Sequence, residues 1–385
     1  MSRMDLDARF PSLPHLRARA RQRLPRFVWD YLDSGTGAET ARHRIRAALD
    51  AVLFQPAILT GEPAPDLSTE VLGTRWSAPF GVAPVGMSGL IWPDAERLLA
   101  SAAADAGIPY TLSTVAAATP EQVGPATQGK GWFQLYCPRD PAIRADMLAR
   151  ARDSGFSTLV LTADLPAASR RERLLASGLT QPPRLTPRLA LQCALRPAWS
   201  LARLRHGMPS MKTLEAYADN ATGGATAHIG YRLRVSPDWT YLEETRALWD
   251  GPLIVKGVLR AEDAPRLEAA GIDALWVSGH AGRQFDGAPA PLDSLRRIRA
   301  ACTLPLIYDS GIEGGLDILR AIALGADLVM LGRGWHDALA ALGAPGAAHL
   351  AKILRADLCA NLAQLGANRP VDLRGTEILA RASGP

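Results

Sequence analysis

The chain of 385 residues has only four cysteines and no long apolar segment. The cysteines are scattered, without the Cys-x-x-Cys spacing of a zinc site or the framework of a disulfide-rich domain, and this favours a reducing compartment. No run approaches the roughly 18 apolar residues that a transmembrane helix requires. The first residues include Arg3, Asp5 and Asp7, where a signal peptide would have an apolar core. We therefore expect a cytoplasmic protein with no metal site and no membrane-spanning helix.

A Gly-x-Gly-x-x-Gly motif is also missing after the first apolar run, which argues against a Rossmann dinucleotide-binding domain. Instead, eight apolar runs recur along the chain. They are Phe80–Gly86, Pro109–Val115, Gly131–Cys137, Ser157–Asp164, Gly251–Val258, Ala274–His280, Pro305–Gly311 and Ala326–Arg333. Apart from an interval of 94 residues after the fourth run, successive runs begin 21 to 31 residues apart, which suits a strand, a loop and one helix. Buried parallel strands alternating with helices predict an α/β fold, a closed (β/α)8 TIM barrel.

The positions of these runs predict how the chain is divided. Residues 1–75 precede the first strand and are expected to form a helical cap that brings Tyr31 to the barrel mouth. The barrel itself is expected over residues 76–366, followed by a C-terminal tail over 367–385. The long interval corresponds to an insert over residues 179–235, after the fourth strand.

The insert holds the excess positive charge of the chain. Residues 181–235 contain eight Lys and Arg residues against two carboxylates, whereas the whole chain has a net charge of +5. Apolar residues alternate with these cations, namely Leu185, Leu189, Leu191, Leu195, Trp199, Leu201 and Leu204. This pattern suits a helix that lies on an anionic membrane surface, and a solvated crossover loop is the alternative. No nucleic-acid-binding module accompanies the charge, so we expect no nucleic acid partner. Because no barrel strand lies in the insert, we expect the barrel to fold without it.

The sixth run ends in Ser278, Gly279 and His280, and Ala281, Gly282 and Arg283 follow it directly. A histidine and an arginine three residues apart at a strand end suit proton removal from a small carboxylate substrate. The guanidinium can hold the carboxylate by two hydrogen bonds while the imidazole takes the proton. A surface turn with one histidine and one arginine by chance is the alternative.

Other strand ends favour the catalytic interpretation, because the active site of a TIM barrel lies at the C-terminal ends of its strands. Polar residues or glycines recur there, and they are Gly86, Ser113, Thr114, Gln134, Tyr136, Thr162, Asp164, Lys256, Ser278, His280, Asp309, Gly311, Gly332 and Arg333. A barrel with a purely structural role would not need Asp164, Lys256 and His280 at equivalent positions.

These motifs resemble those of the FMN-dependent α-hydroxy acid dehydrogenase and oxidase family. The resemblance extends over about 350 residues, from Leu24 to Leu373. The matching strings include Trp132–Tyr136, Leu161–Asp164, Arg170–Arg173, Val255–Gly257, His280–Arg283, Asp309–Gly311 and Leu331–Arg333. Two strings in the insert, Arg196–Leu201 and Arg205–Pro209, are similar to the bacterial (S)-mandelate and L-lactate dehydrogenase branch.

The resemblance implies oxidation of an (S)-2-hydroxy acid to the 2-oxo acid with FMN as cofactor. His280 would be the base, removing either the α-hydrogen as a proton or the hydroxyl proton while hydride leaves, and the residues leave both routes open. Asp164 would orient the imidazole. Arg283 and Arg171 would bind the substrate carboxylate, and Tyr31 and Tyr136 would hydrogen-bond to carboxylate and hydroxyl.

The family also implies a set of cofactor contacts. Lys256 would stabilise the anionic reduced flavin. The contacts expected are Pro84, Val85, Gly86, Ser113, Gln134, Thr162, Lys256, Ser278, Asp309, Ser310, Gly311, Ile312, Glu313, Gly332 and Arg333. Electrons would pass to a quinone-type acceptor at the inner face of the cell membrane through residues 181–235, and a homotetramer is expected.

The chain departs from the family pattern at four positions that bear on the cofactor or the substrate. Relatives usually have two arginines in place of Glu313 and Gly314, so a carboxylate near the flavin phosphate is expected to repel it and weaken FMN binding. Val115 stands where small-substrate oxidases have tryptophan, and Gly86 removes a methyl group expected to face the flavin. Both changes favour a substrate side chain larger than that of glycolate.

Two other function classes fit the same motifs. One is an FMN barrel with another reaction: an oxygen-using 2-hydroxy acid oxidase, an isomerase or a peptide-modifying relative. The other is a flavin-binding protein without turnover, which the altered phosphate loop makes conceivable.

Overall fold

The computed structural model describes residues 5–178, 186–217, 234–376 and 379–380. The chain begins with a cap of four helices, α1 (Leu6–Arg9), α2 (Leu13–Arg23), α3 (Arg26–Asp33) and α4 (Thr40–Asp50). Strand β1 (Val52–Leu53) follows, and then a hairpin of β2 (Thr69–Val71) and β3 (Thr74–Trp76). The cap is therefore helical only as far as Asp50. The hairpin closes the N-terminal end of the barrel, where Trp76 stacks edge-on against Trp132 with ring centroids 6.4 Å apart.

Eight parallel strands form the centre of the fold. They are β4 (Phe80–Val82), β5 (Thr111–Ser113), β6 (Gly131–Leu135), β7 (Phe156–Thr162), β8 (Leu253–Val258), β9 (Ala274–Val277), β10 (Leu306–Asp309) and β11 (Leu328–Leu331). Neighbours in sequence pair in parallel, and β11 pairs with β4. A bridge between Val82 and Tyr110 closes the ring. The predicted TIM barrel is confirmed, and each of the eight predicted runs contains most or all of one strand.

Helices surround the barrel. They are α5 (Ser88–Ile91), α6 (Ala95–Asp105), α7 (Pro120–Val123), α8 (Pro141–Asp153), α9 (Glu172–Ala176), α10 (Pro187–Ala194), α11 (Pro197–His206), α12 (Lys212–Glu215), α13 (Trp239–Leu248), α14 (Asp263–Ala269), α15 (Pro291–Ala301), α16 (Gly315–Ala323), α17 (Arg333–Leu342) and α18 (Pro345–Gln364). In the tail, a short turn of 3-10 helix spans Pro370–Leu373, and β12 (Leu379–Ala380) pairs antiparallel with β1.

The described part of the insert, residues 186–217 and 234–235, packs on the cap. Trp199 is buried, its ring meets Phe27 edge-on at 5.7 Å, and its Nε1 donates to the carbonyl of Leu90 at 3.0 Å. The amide oxygen of Gln192 accepts from the backbone of Phe27 at 3.0 Å. Leu189 is also buried.

The apolar residues that alternate with cations in the insert are therefore divided between two faces, because Leu191, Leu195, Leu201 and Leu204 are exposed. Leu189 and Trp199 face the cap, because their apolar surface is covered there, and Leu185 lies outside the described residues. Deleting the insert would expose Phe27 and leave polar groups of the cap unpaired. We therefore expect such a deletion to disturb the cap, and point substitutions are the better test of its surface.

Candidate active site

A cavity of about 1360 Å³ lies at the C-terminal ends of the barrel strands, between them, the cap and the insert. Most of the predicted site residues line it. They are Tyr31, Pro84, Val85, Gly86, Gln134, Tyr136, Thr162, Arg171, Lys256, His280, Arg283, Asp309, Ser310, Gly311, Ile312, Glu313, Gly332 and Arg333. The structure places Ser113, Asp164 and Ser278 behind this surface, where each contacts a residue that lines it.

His280 follows β9 and has a left-handed backbone, with φ of 49°. Its Nδ1 lies 3.0 Å from Oδ2 and 3.2 Å from Oδ1 of Asp164, which follows β7. Because a carboxylate only accepts hydrogen bonds, Nδ1 carries the ring hydrogen and Nε2 is left as a proton acceptor. Burial would raise the pKa of Asp164, but the charge and hydrogen bond of His280, together with Lys256, hold that pKa below its usual range. The pair therefore has the geometry of a base oriented by a carboxylate.

Lys256 on β8 is buried in a cluster of polar side chains. Its Nζ donates to Ser278 Oγ at 2.7 Å and to Asp309 Oδ2 at 2.8 Å. The other oxygen of Asp309 accepts from Ser278 Oγ at 2.6 Å. The Ser278 hydroxyl is committed to this cluster, and its predicted contact with the cofactor stays a prediction. Lys256 reaches the cavity surface as a cation whose position Asp309 fixes.

A chain of side-chain hydrogen bonds crosses three neighbouring strands. Ser113 Oγ donates to Gln134 Oε1 at 2.8 Å, and Gln134 Nε2 donates to Thr162 Oγ1 at 2.9 Å. All three residues are buried. Parallel pairing of β5, β6 and β7 places them side by side, and Ser113 thus sets the orientation of the Gln134 amide.

Three arginines lie at one wall of the cavity. Arg171 donates to Ser34 Oγ at 2.9 Å and to the carbonyl of Tyr31, and Arg283 donates to the carbonyl of Leu32. These carbonyls belong to the C-terminal turn of α3, whose partial negative charge favours cations. Burial, with repulsion from Arg171 and Arg333, lowers the pKa of Arg283 well below its usual range. Such a concentration of half-buried positive charge suits the binding of an anion.

The hydroxyl of Tyr31 donates to the carbonyl of Gly86 at 2.9 Å and so links the cap to the loop after β4. The ring of Tyr136 lies under the guanidinium of Arg234, 5.9 Å from the ring centroid. The backbone of Arg234 pairs with Pro138, which brings the end of the insert to this wall. Both tyrosines line the cavity, as predicted for substrate contacts.

Glycine at position 86 leaves space for the Val115 side chain as well as for a group bound in the cavity. A Cβ atom at position 86 would lie 2.5 Å from Val115 Cγ2, closer than van der Waals contact allows. Valine has few alternative rotamers, so the clash is not easily relieved. We expect Gly86→Ala to lower the free energy of unfolding by roughly 1–3 kcal/mol, the usual cost of overpacking.

Chemical denaturation of the flavin-loaded protein measures this loss of stability. The matched second substitution is Val115→Ala, made in the Gly86→Ala variant. The double variant should recover most of the stability lost in Gly86→Ala. If Gly86→Ala is as stable as the wild type, or if Val115→Ala restores no stability, the clash of a Cβ atom at position 86 with Val115 Cγ2, at 2.5 Å, is not the reason for glycine at this position.

Arg17, an arginine of the cap, is paired with the Glu313 carboxylate, and the expected weakening of FMN binding by Glu313 stays a prediction. Arg17 Nη1 lies 2.5 Å from Glu313 Oε1, and Arg17 Nε lies 3.2 Å from Asp337 Oδ2. The negative charge at the phosphate loop is thus largely balanced. Arg333, from the loop after β11, donates to the carbonyl of Ala281 at 2.6 Å.

Several cavity residues were not predicted from the sequence. Arg17 and Arg234 belong to arginine-rich stretches in which nothing distinguishes one arginine from the next. Apolar lining residues come from loops and from the insert, and they are Leu165, Leu174, Met208 and Met211. No motif marks them, because their position depends on how the loops pack. Among the described residues, no group of His, Cys, Asp or Glu could hold a metal ion.

Comparison with known proteins agrees with this geometry. Residues 20–380 match a family described as FMN-dependent dehydrogenase. The chain is 37% identical to (S)-mandelate dehydrogenase of Pseudomonas putida over 346 residues, which is 90% of this chain and 88% of that protein. It is 38% identical to L-lactate dehydrogenase of Ectopseudomonas mendocina over 91% of this chain and 94% of that one.

A solved structure, described as that of the monotopic membrane protein (S)-mandelate dehydrogenase, superposes with a TM-score of 0.91. It is 35% identical in sequence, and the alignment covers 96% of this chain and 99% of that chain.

Proposed function

Because the chain belongs to the FMN-dependent dehydrogenase family and is an oxidoreductase acting on CH–OH donors, we propose that it oxidises an (S)-2-hydroxy acid with an apolar side chain. The observation that carries the proposal is the His280–Asp164 pair beside Arg283 and Arg171 on one cavity. Anaerobic addition of (S)-mandelate or L-lactate is expected to bleach the flavin absorbance.

The residues of the cavity fit FMN. Its volume, about 1360 Å³, exceeds the roughly 300–1,000 Å³ of a pocket for one small ligand, so a cofactor and a substrate can share it. Gln134, Thr162 and Lys256 offer polar groups for the flavin ring, and the buried Nε of Arg333 has no hydrogen-bond partner within the described residues. When bound, FMN supplies the acceptor for the electron pair that leaves the substrate.

His280 would take the proton at Nε2. As the imidazole becomes charged, Asp164 stabilises it through the hydrogen bond at Nδ1, and the same bond keeps the ring in the required tautomer. The arrangement serves either route, removal of the α-hydrogen as a proton or of the hydroxyl proton with hydride transfer. Lys256, fixed by Asp309, would stabilise negative charge that develops beside it.

Arg283 and Arg171 would bind the substrate carboxylate. Each is anchored by backbone carbonyls at the end of α3, so the guanidinium groups are already in place before substrate arrives. The unpartnered Nε of Arg283 is a buried donor that a carboxylate would satisfy. Tyr31 and Tyr136 lie on the same cavity and would hydrogen-bond to the carboxylate and hydroxyl.

Apolar side chains line the rest of the cavity and would receive the side chain of the acid. They are Val115, Leu165, Leu174, Met208 and Met211. Their apolar surface suits an aryl or alkyl group better than the hydrogen atom of glycolate, because burying apolar area stabilises the complex. Methionine adapts its shape to different groups, which suits a range of substrates.

We further propose that the electrons pass to a lipid-soluble quinone at a membrane surface. Leucines on α10, directly after it and on α11 are exposed, at 61% for Leu191 and Leu195 and 82% for Leu204. Two cations on the same helices, Arg188 and Arg205, are also exposed. Exposed Leu175 and Met208 line the cavity itself, so this surface reaches the mouth of the site. Among the described residues, no helix has the length and hydropathy needed to cross a bilayer. The similarity to a monotopic membrane protein supports contact with one face.

Replacing Leu191, Leu195, Leu201 and Leu204 together by glutamine tests this surface. We expect the variant to lose cosedimentation with anionic vesicles and to reduce a quinone in vesicles at least tenfold more slowly. The reason is that apolar burial contributes about 25 cal/mol per Å² and these four leucines are exposed large apolar side chains of this surface. Flavin reduction by substrate in solution should not change.

The matched control is the pair Ile58→Gln and Leu59→Gln, which removes equally exposed apolar side chains from the cap. It should bind vesicles as the wild type does, and wild-type binding should weaken as salt screens the cations. If the wild-type protein does not bind anionic vesicles at low salt, the proposal is contradicted and a soluble electron acceptor is favoured.

A further inference from the structure

One end of the cavity lies between the loops after β10 and β11. These loops offer few hydrogen-bond donors and cations that could bind an anion. In TIM barrels this end is where phosphate groups bind, on backbone N–H groups of the two loops. Here the backbone N–H of Glu313 donates to Asp317 at 3.0 Å, and that of Gly315 donates to Asp357 at 2.5 Å. Two carboxylates thus occupy donors that a phosphate would need.

The loop after β10 also supplies no cation. Glu313 carries the opposite charge, and a Cβ atom at Gly314 would lie 2.8 Å from the Asp357 carboxylate. A side chain at position 314 would therefore require the Asp357 carboxylate to move. Positive charge at this end must therefore come from residues outside the loop after β10.

Arg17, on helix α2 of the cap, provides it. Helix α2 packs directly on α17, whose first turn flanks the cavity, so closely that a Cβ atom at Gly334 would lie 3.0 Å from Leu13. Arg17 lines the cavity beside Glu313, Arg333 and Gly334 and remains 28% exposed. Asp337 holds its Nε, while Nη1 meets Glu313 on the cavity side.

We propose that Arg17 is the cation by which the cap holds the phosphate of FMN, and that Glu313 competes with this phosphate for Nη1 of Arg17. Asp337, on α17, keeps the guanidinium in place while Nη1 changes partner. Arg333 supplies the second positive charge at the same end. The proposal rests on flavin binding alone and is independent of which hydroxy acid is oxidised.

The test compares FMN with riboflavin, which lacks the phosphate, by titrating each into deflavinated protein and following the quenching of flavin fluorescence. Arg17→Met should weaken FMN binding by about tenfold or more, the usual loss for a charge-assisted hydrogen bond, and leave riboflavin binding unchanged. Glu313→Gln should tighten FMN binding several-fold and leave riboflavin unchanged, because a competing anion is removed. Arg21→Met is the matched control, since it removes an exposed arginine from the same helix.

Equal losses for FMN and riboflavin in Arg17→Met would overturn the proposal and assign Arg17 to packing of the cap. Unchanged FMN affinity in Arg17→Met would overturn it as well. Should Arg17→Met fail to fold, Glu313→Gln decides, because weaker or unchanged FMN binding in that variant is incompatible with competition. None of these measurements depends on turnover, so a failure here is distinct from a failure of the proposed oxidation.

Discussion

Replacing His280 with alanine should slow flavin reduction by the 2-hydroxy acid by about 10²–10⁴-fold, the usual effect of losing a general base. The reason is that Nδ1 is committed to Asp164, so Nε2 is the atom that accepts the proton. The measurement is the anaerobic rate of flavin bleaching in a stopped-flow instrument at saturating substrate. FMN should stay bound, because His280 does not lie in the loops after β10 and β11.

The backbone at His280 calls for a second variant, since its φ of 49° costs alanine more than it costs asparagine. His280→Asn keeps this conformation and can still donate a hydrogen bond to Asp164, but it cannot act as a base. Both variants should lose activity to a similar degree. If His280→Asn reduces its flavin at nearly the wild-type rate, another residue takes the proton and the assigned role is wrong.

Replacing Arg283 with methionine should weaken substrate binding by about 1.5–3 kcal/mol, or roughly 10–150-fold in dissociation constant. The Arg283 side chain is half-buried, its guanidinium donates to the carbonyl of Leu32, and its buried Nε has no hydrogen-bond partner within the described residues. A carboxylate bound there would therefore make a charge-assisted hydrogen bond in a dry environment. The dissociation constant follows from the dependence of the bleaching rate on substrate concentration.

Two controls separate this role from support of helix α3. The methyl ester of the substrate carries no charge, so wild type and Arg283→Met should bind it with similar affinity. Arg170→Met removes an arginine whose side chain is 80% exposed and should behave as the wild type with the acid. Equal losses with acid and ester in Arg283→Met would show that Arg283 is needed only for the structure of the cap.

The sequence was sufficient to predict the barrel and most residues on its inner surface. Parallel strands buried on both sides need continuous apolar runs, and the residues that follow such runs must lie at one end of the barrel. This rule placed Gln134, Thr162, Lys256, His280 and Asp309 around one cavity, as the structure shows. The rule also placed Asp164 at the same end of the barrel as His280, and the two side chains are in contact there although 116 residues separate them in sequence.

The cap and the insert could not be predicted in the same way. Arg17 lies in a helix with three other arginines, Arg19, Arg21 and Arg23, and only the packing of α2 on α17 directs it to Glu313. Charge alone therefore predicted repulsion at Glu313 where the structure has an ion pair. Similarly, a buried tryptophan and a membrane-facing one have the same local pattern, and only the contact with Phe27 shows that Trp199 faces inward.

Oxidation of a 2-hydroxy acid at this cavity is tested most directly by anaerobic titration of the purified yellow protein with (S)-mandelate, (R)-mandelate and L-lactate. We expect complete bleaching by at least one of the two (S)-configured acids, one equivalent of 2-oxo acid per flavin, and no rapid bleaching by (R)-mandelate. Bound flavin that stays oxidised with all three acids and with longer (S)-2-hydroxy acids would contradict the account.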